Sequence, residues 1–134
     1  MKKQPRIVLA KPGLDGHDKG IRLAAMALRD AGFEVSYLGL RQRVSDIIDA
    51  AVKKEADFVG LSILSGTHLD VAEKMLAQMK EHHLTCKLFI GGVIPKADVD
   101  KLLSMGVAAV FPVGSTFAHM NEWIEANLPA TAIQ

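Results

Sequence analysis

The chain has 134 residues, 49% of them hydrophobic, a size and composition that suit one compact domain with a real apolar core. Sixteen basic against fifteen acidic side chains leave a formal net charge of +1, and no block of five or more like charges occurs, so the electrostatic footprint of a nucleic-acid or acidic-membrane binder is missing. The lone Cys86 excludes an internal disulfide and reads as a small hydrophobe in a reducing cytoplasm, and no apolar stretch reaches the roughly 18 residues of a membrane span.

The basic start leads into "RIVLA" (6–10), too short an apolar segment for a signal peptide and suited to a first strand. Ile21, Ala24, Ala25 and Leu28 then recur at helical spacing, closed by Gly32. "EVSYLGL" (34–40) reads as a second strand, followed by a helical stripe of Val44, Ile47, Ile48 and Ala51 with Ser45 as N-cap. "FVGLSIL" (58–64) is the third strand, and Leu69, Ala72, Leu76 and Met79 mark the third helix. "KLFIGG" (87–92) is the fourth, with a helix starting near Pro95, carrying Val99, Leu102 and Leu103, and ending at Gly106. "AAVFPVG" (108–114) is the fifth, followed by Ser115 or Thr116 as N-cap and the stripe Phe117, Met120, Ile124. The order is β-α repeated five times. Continuously apolar strands belong to a sheet covered on both faces, so the sequence predicts an α/β class domain over 1–134, core 6–128, with a five-stranded parallel sheet and helices on each side.

Ligands of such sheets bind outside the carboxyl ends of the strands. Four unusual loops fall there: "KPGLDGHDKG" (11–20), "SILSGTH" (62–68), "GGVIP" (91–95) and "PVGSTF" (112–117). In the first, Asp15 and His17 are two residues apart, a spacing that brings them together only in the irregular backbone that Gly13, Gly16 and Gly20 permit. A carboxylate accepting the Nδ1 proton of an imidazole leaves Nε2 free as a basic ligand, and Lys11 could hold that carboxylate ionised. The same ten residues also read as a polar surface turn. Other chemistries fail on spacing: Gly16 is followed by His17 and Asp18 rather than the Lys and Ser/Thr of a phosphate loop, GxGxxG is missing, GxSxG breaks at Leu64, and Cys86 is isolated from His82 and His83. An aromatic content of 5% disfavours flavin. One histidine ligand to a metal that brings its other ligands with it survives. His68, His82, His83 and His119 read as solvated helix residues, His119 the one nearest to burial, and Met26, Met75, Met79, Met105 and Met120 as core or interface filling.

Asp15-x-His17-x-x-Gly20, Ser62-x-Leu64 and Gly91-Gly92, on three successive loops, resemble the DxHxxG, SxL and GG signature of cobalamin-binding domains, and the resemblance runs from Arg6 to about Leu128. It implies a flavodoxin-like (Rossmann-like) fold and a cobalamin cofactor. It further implies that His17 replaces the cofactor's own dimethylbenzimidazole as axial cobalt ligand, that Asp15 orients it, and that Lys11 completes the relay, with Gly16 and Asp18 in the same loop. The detached nucleotide tail would then run past Gly20, Gly60, Ser62, Leu64, Gly91 and Gly92. Phe111, Gly114 and Ser115 match the family's fifth loop, although "FPVGST" departs from the commoner aromatic-Gly-Pro-Gly-Thr form.

The wording "AKPGLDGHDKG" is similar to the acyl-CoA mutases, of methylmalonyl-CoA mutase or 2-hydroxyisobutyryl-CoA mutase type, whose cobalamin domain is either fused to a substrate-binding barrel or supplied as a separate small subunit. With the first strand starting near residue 6, no helical cap of the methyl-carrier kind is expected. The resemblance therefore implies a small subunit that presents adenosylcobalamin to a large TIM-barrel subunit and is inactive alone. A corrinoid methyl carrier or cobalamin shuttle is the alternative, and an interaction domain without cofactor a third.

Overall fold

The structure, a computed structural model, describes residues 4–12, 19–63 and 66–128. Among these, β1 (Arg6–Ala10), β2 (Glu34–Tyr37), β3 (Phe58–Ile63), β4 (Lys87–Gly92) and β5 (Ala109–Pro112) alternate with α1 (Lys19–Asp30), α2 (Val44–Lys54), α3 (His68–Glu81), α4 (Lys96–Met105) and α5 (Phe117–Ala126). All pairings are parallel and the sheet order is β2-β1-β3-β4-β5. The chain winds outward first to β2 and then the other way from β3, so strand order reverses between β1 and β3, the place where such sheets open a crevice at their carboxyl edge. The expected flavodoxin-like architecture is what forms.

Strand periodicity sorts the core into two layers. Val8, Val59, Leu61, Leu88 and Ile90 point to one face and pack with Ile47 and Ile48 of α2, Ala72 and Met75 of α3 and Leu102 of α4. Ile7, Leu9, Phe58, Phe89 and Phe111 point to the other and pack with Ile21, Ala25 and Leu28 of α1 and Ile124 of α5. Trp123 seals the second layer edge-on against Phe58, Phe89 and Phe111, with ring centroids 5.6–5.9 Å away.

Helix ends follow the punctuation with one exception. Gly106 closes α4 at φ +119, where a residue with a Cβ would be strained, and its N–H reaches back to Leu102 and Leu103. Thr116 caps α5, its Oγ1 accepting from the His119 N–H at 3.0 Å. The cap of α2 is Arg43, not Ser45: the Asp46 carboxylate accepts from the Arg43 N–H at 3.3 Å, so Ser45 lies inside the helix. β2 stops at Tyr37, short of residue 40, because Gly39 and Arg41 take positive φ and turn the chain so that the Gln42 N–H reaches the Lys11 carbonyl at 3.1 Å.

His68 corrects the solvated reading. It is 4% exposed, at the first position of α3, and its burial is offset by a 2.7 Å hydrogen bond from Nε2 to the Asp98 carboxylate. His82, His83 and His119 are exposed. Cys86 is half-buried against the α2–α4 layer, and burial raises its thiol pKa above the usual cysteine value.

Candidate functional site

The α1/α5 face of the sheet changes character along its strands. Its amino-terminal half carries Ile7, Leu9, Phe58 and Phe89. Two residues beyond each aromatic, the same face is cut back to Gly60 and then Ser62 on β3, and to Gly91 on β4. The short side chain of Ser62 and the bare Gly91 leave a cleft of about 240 Å³ between the carboxyl edge and the first turns of α1 and α5. Ile21 and Ala24 form one wall, Phe117 and Met120 the other, and Phe111, Gly114 and Ser115 close the β5 side. The apolar stripe of α5 is consequently only partly used for packing: Ile124 is buried, whereas Phe117 is 40% exposed.

Eight residues singled out in the sequence thus meet in one cleft: Gly20, Gly60, Ser62, Gly91, Gly92, Phe111, Gly114 and Ser115. Asp15, Gly16, His17, Asp18 and Leu64 lie outside the described residues. Lys11 does not line the cleft; it directly follows β1, fully buried at the switch point, with Nζ 3.4 Å from the Ser62 carbonyl oxygen. Its main chain is fixed as well, the N–H to Gly39 (3.2 Å) and the carbonyl to Gln42 (3.1 Å). A lysine side chain is therefore anchored just past the carboxyl end of β1.

The glycines do two different jobs. A Cβ on Gly60 would collide with the Phe89 ring and with Leu9 Cδ2, and one on Gly92, at φ +128, with the Ile63 carbonyl, so these two are small because protein occupies the space. A Cβ on Gly20 would meet nothing within 4 Å, and one on Gly91 only the Phe111 carbonyl oxygen at 3.4 Å and Phe111 Cβ at 3.9 Å. Those two open onto the cleft, and with Ser62 between them they form a backbone-floored cradle with one hydroxyl. A flat heterocycle that needs close approach to main chain and one polar contact fits such a floor.

Leu9, Phe89, Phe117 and Met120 also line the cleft and were read in the sequence as strand, core or interface residues. For Leu9 and Phe89 the signal that would have found them is strand parity, since they share a sheet face with Gly60, Ser62 and Gly91; for Phe117 and Met120 it is the helical stripe of α5 that faces the same side.

The family model described as "B12 binding domain" matches residues 5–121. The chain is 40% identical over 106 residues to the 2-hydroxyisobutanoyl-CoA mutase small subunit of Aquincola tertiaricarbonis, covering 78% of each. It is 41% identical over 106 residues to the ethylmalonyl-CoA mutase of Cereibacter sphaeroides, covering 79% of this chain and 16% of that enzyme, so it spans a small fraction of that relative's length. Among solved structures, a cobalamin-binding protein from Desulfitobacterium hafniense superposes with a TM-score of 0.80 at 27% identity, over 92% of this chain and 59% of that one.

Proposed function

The chain belongs to the B12-binding domain family, and from that premise we propose that it carries adenosylcobalamin for an acyl-CoA mutase in the cytoplasm: His17 would hold the cobalt, the cleft would hold the nucleotide tail, and a large TIM-barrel subunit would receive the cofactor. The observation that carries this reading is the glycine-floored cleft, which gathers the residues of three separated motifs at the carboxyl edge of the sheet. Its similarity to a mutase small subunit over 78% of both chains supports the division of labour with a larger partner.

When bound, the cofactor supplies a cobalt–carbon bond that breaks homolytically, the radical source for carbon-skeleton migration. The chain's own residues bind and orient. Lys11 would supply positive charge towards the Asp15 carboxylate; Asp15 would accept a hydrogen bond from Nδ1–H of His17, the tautomer that leaves the Nε2 lone pair free to hold cobalt. Gly16 and Asp18 belong to the same motif in the sequence. Gly20 and Gly91 would leave room for the tail's ring system, the Ser62 hydroxyl would donate to a ring nitrogen, and Phe111, Gly114 and Ser115 would bound its far edge, while Gly60 and Gly92 keep the strands beneath it closely packed; Leu64 completes the motif of Ser62. Substrate contacts fall to the larger subunit, so this chain alone is inactive.

The test is spectroscopic. The purified chain is loaded with adenosylcobalamin, reduced to Co(II), and examined by electron paramagnetic resonance with ¹⁵N-labelled histidine. Coupling to a labelled imidazole nitrogen, lost in His17→Ala, is the expected result; coupling to the cofactor's own base, or an unchanged His17→Ala spectrum, overturns the ligand assignment. Copurification with a barrel mutase supports the assembly, and with a methyltransferase instead refutes it in favour of a methyl carrier.

A further inference from the structure

β3 and β4 stay paired up to Ile63 and Gly92, and the Val93 N–H still reaches the Ile63 carbonyl at 3.2 Å. The next elements along the chain are α3, which begins at His68, and α4, which begins at Lys96. They are joined by side chains. His68, the first residue of α3, is 4% exposed and bonds through Nε2 to Oδ2 of Asp98, in the first turn of α4, at 2.7 Å. The Asp98 carboxylate is 19% exposed and is approached from solvent by Lys101 Nζ at 3.9 Å.

This pair is costly for a mere filler. With Nε2–H donating to Asp98, Nδ1 is left as a buried acceptor with no hydrogen-bond partner among the described residues, a penalty that an aliphatic side chain in the same space would avoid. What the ring provides and an aliphatic side chain cannot is a directional link between the starts of two helices. That link ties the helices that follow β3 and β4, whose ends, Ser62 on one strand and Gly91 and Gly92 on the other, floor the cleft.

We propose that the His68–Asp98 pair is a clamp that sets the separation of the starts of α3 and α4, and so of the ends of β3 and β4 that precede them, making both residues positioning residues for the nucleotide tail. The inference rests on the cobalamin reading above. Neither side chain touches the tail; each acts through the backbone it fixes. Breaking the clamp lets the two helix starts drift apart, and the cleft floor loses its match to the ring system it would hold.

The experiment measures adenosylcobalamin affinity of the full chain by absorbance titration, for variants shown by circular dichroism to be fully folded at the assay temperature, so that loss of global stability leaves the affinity untouched. His68→Ala and Asp98→Ala should each weaken binding about tenfold, the equivalent of one hydrogen bond to a charged group. The double variant should be no weaker than either single one, because the two remove the same link. His68→Gln, whose amide N–H can reach Asp98 from the position of Nε2, should recover most of the affinity. Cobinamide, which keeps the corrin and cobalt but lacks the nucleotide tail, should bind wild type and variants within about twofold of one another. Equal affinities in wild type and His68→Ala, additive losses in the double variant, or a matching loss for cobinamide would each overturn the clamp. Failure of the wild-type chain to take up adenosylcobalamin would instead overturn the reading it rests on. Should His68→Ala not fold, the comparison of Asp98→Asn with His68→Gln carries the same test, since the Asn carbonyl still accepts from Nε2–H and should lose less than Asp98→Ala.

Discussion

Gly60 and Gly20 both line the cleft, yet substituting them should have opposite consequences. A methyl group on Gly60 lands against the Phe89 ring and Leu9 Cδ2. Phe89 is 3% exposed and wedged edge-on against Phe111 and Trp123, with centroids 5.9 and 5.8 Å away, and Leu9 is 2% exposed, so neither can swing aside. Forcing one methyl into a packed core costs typically 1–3 kcal/mol, and with both neighbours locked the upper part of that range, about 2–3 kcal/mol, applies. For a chain of this size one kcal/mol moves the melting temperature by roughly 3–5 °C, so Gly60→Ala should melt about 6–15 °C below wild type. Gly20→Leu meets open space instead and replaces a glycine in the first turn of α1, which should leave stability unchanged or raise it by up to about 1 kcal/mol. The same leucine projects into the cleft and should weaken adenosylcobalamin binding at least about tenfold. Scanning calorimetry of the cofactor-free proteins, with absorbance titration alongside, reads both effects. A Gly60→Ala melt within about 2 °C of wild type, or a Gly20→Leu protein as destabilised as Gly60→Ala, would refute the division of the glycines into packing and cradle positions.

Gly92→Ala combines positive φ with a Cβ on the Ile63 carbonyl, and should cost about 1–3 kcal/mol in urea unfolding, more than Gly91→Ala at its open neighbour. Lys11→Met keeps the buried stem but removes the charge beside the Asp15–His17 loop; cofactor titration should show affinity reduced roughly tenfold. Burial raises the Cys86 thiol, so the neutral form is favoured in the folded state and the stability it contributes is present below the unfolded-state pKa near 8.5, then lost as pH rises through the higher folded value. Urea midpoints of wild type should therefore fall more steeply above pH ~8.5 than those of Cys86→Ala.

Much of the fold was legible along the chain because parallel sheets bury both faces and so write continuous apolar runs, separated here by stripes at helical spacing. The errors fell where local signals compete. Ser45 looked like a cap, yet Arg43 takes that place once Asp46 folds back on its N–H. β2 looked longer by three residues, since leucines 38 and 40 extend the apolar run while Gly39 breaks its conformation. His68 looked solvated, because nothing near it in sequence announces Asp98, thirty residues away.

The candidate site divides in the same way. Its residue types and their order are local facts: an acid and an imidazole two apart among glycines, a serine at a strand end, a glycine pair after an apolar run. These alone pointed to the family and its cobalamin cofactor, through their resemblance to a three-part signature that is written in short local stretches. What the glycines are for depended on the tertiary structure, since Gly60 and Gly20 are indistinguishable as letters and differ only in what stands opposite them, Phe89 and Leu9 in one case and open space in the other. The depth of the cleft, the burial of Lys11 at the switch point and the His68–Asp98 link likewise arise from contacts between segments far apart in the chain, and no local pattern encodes such distances.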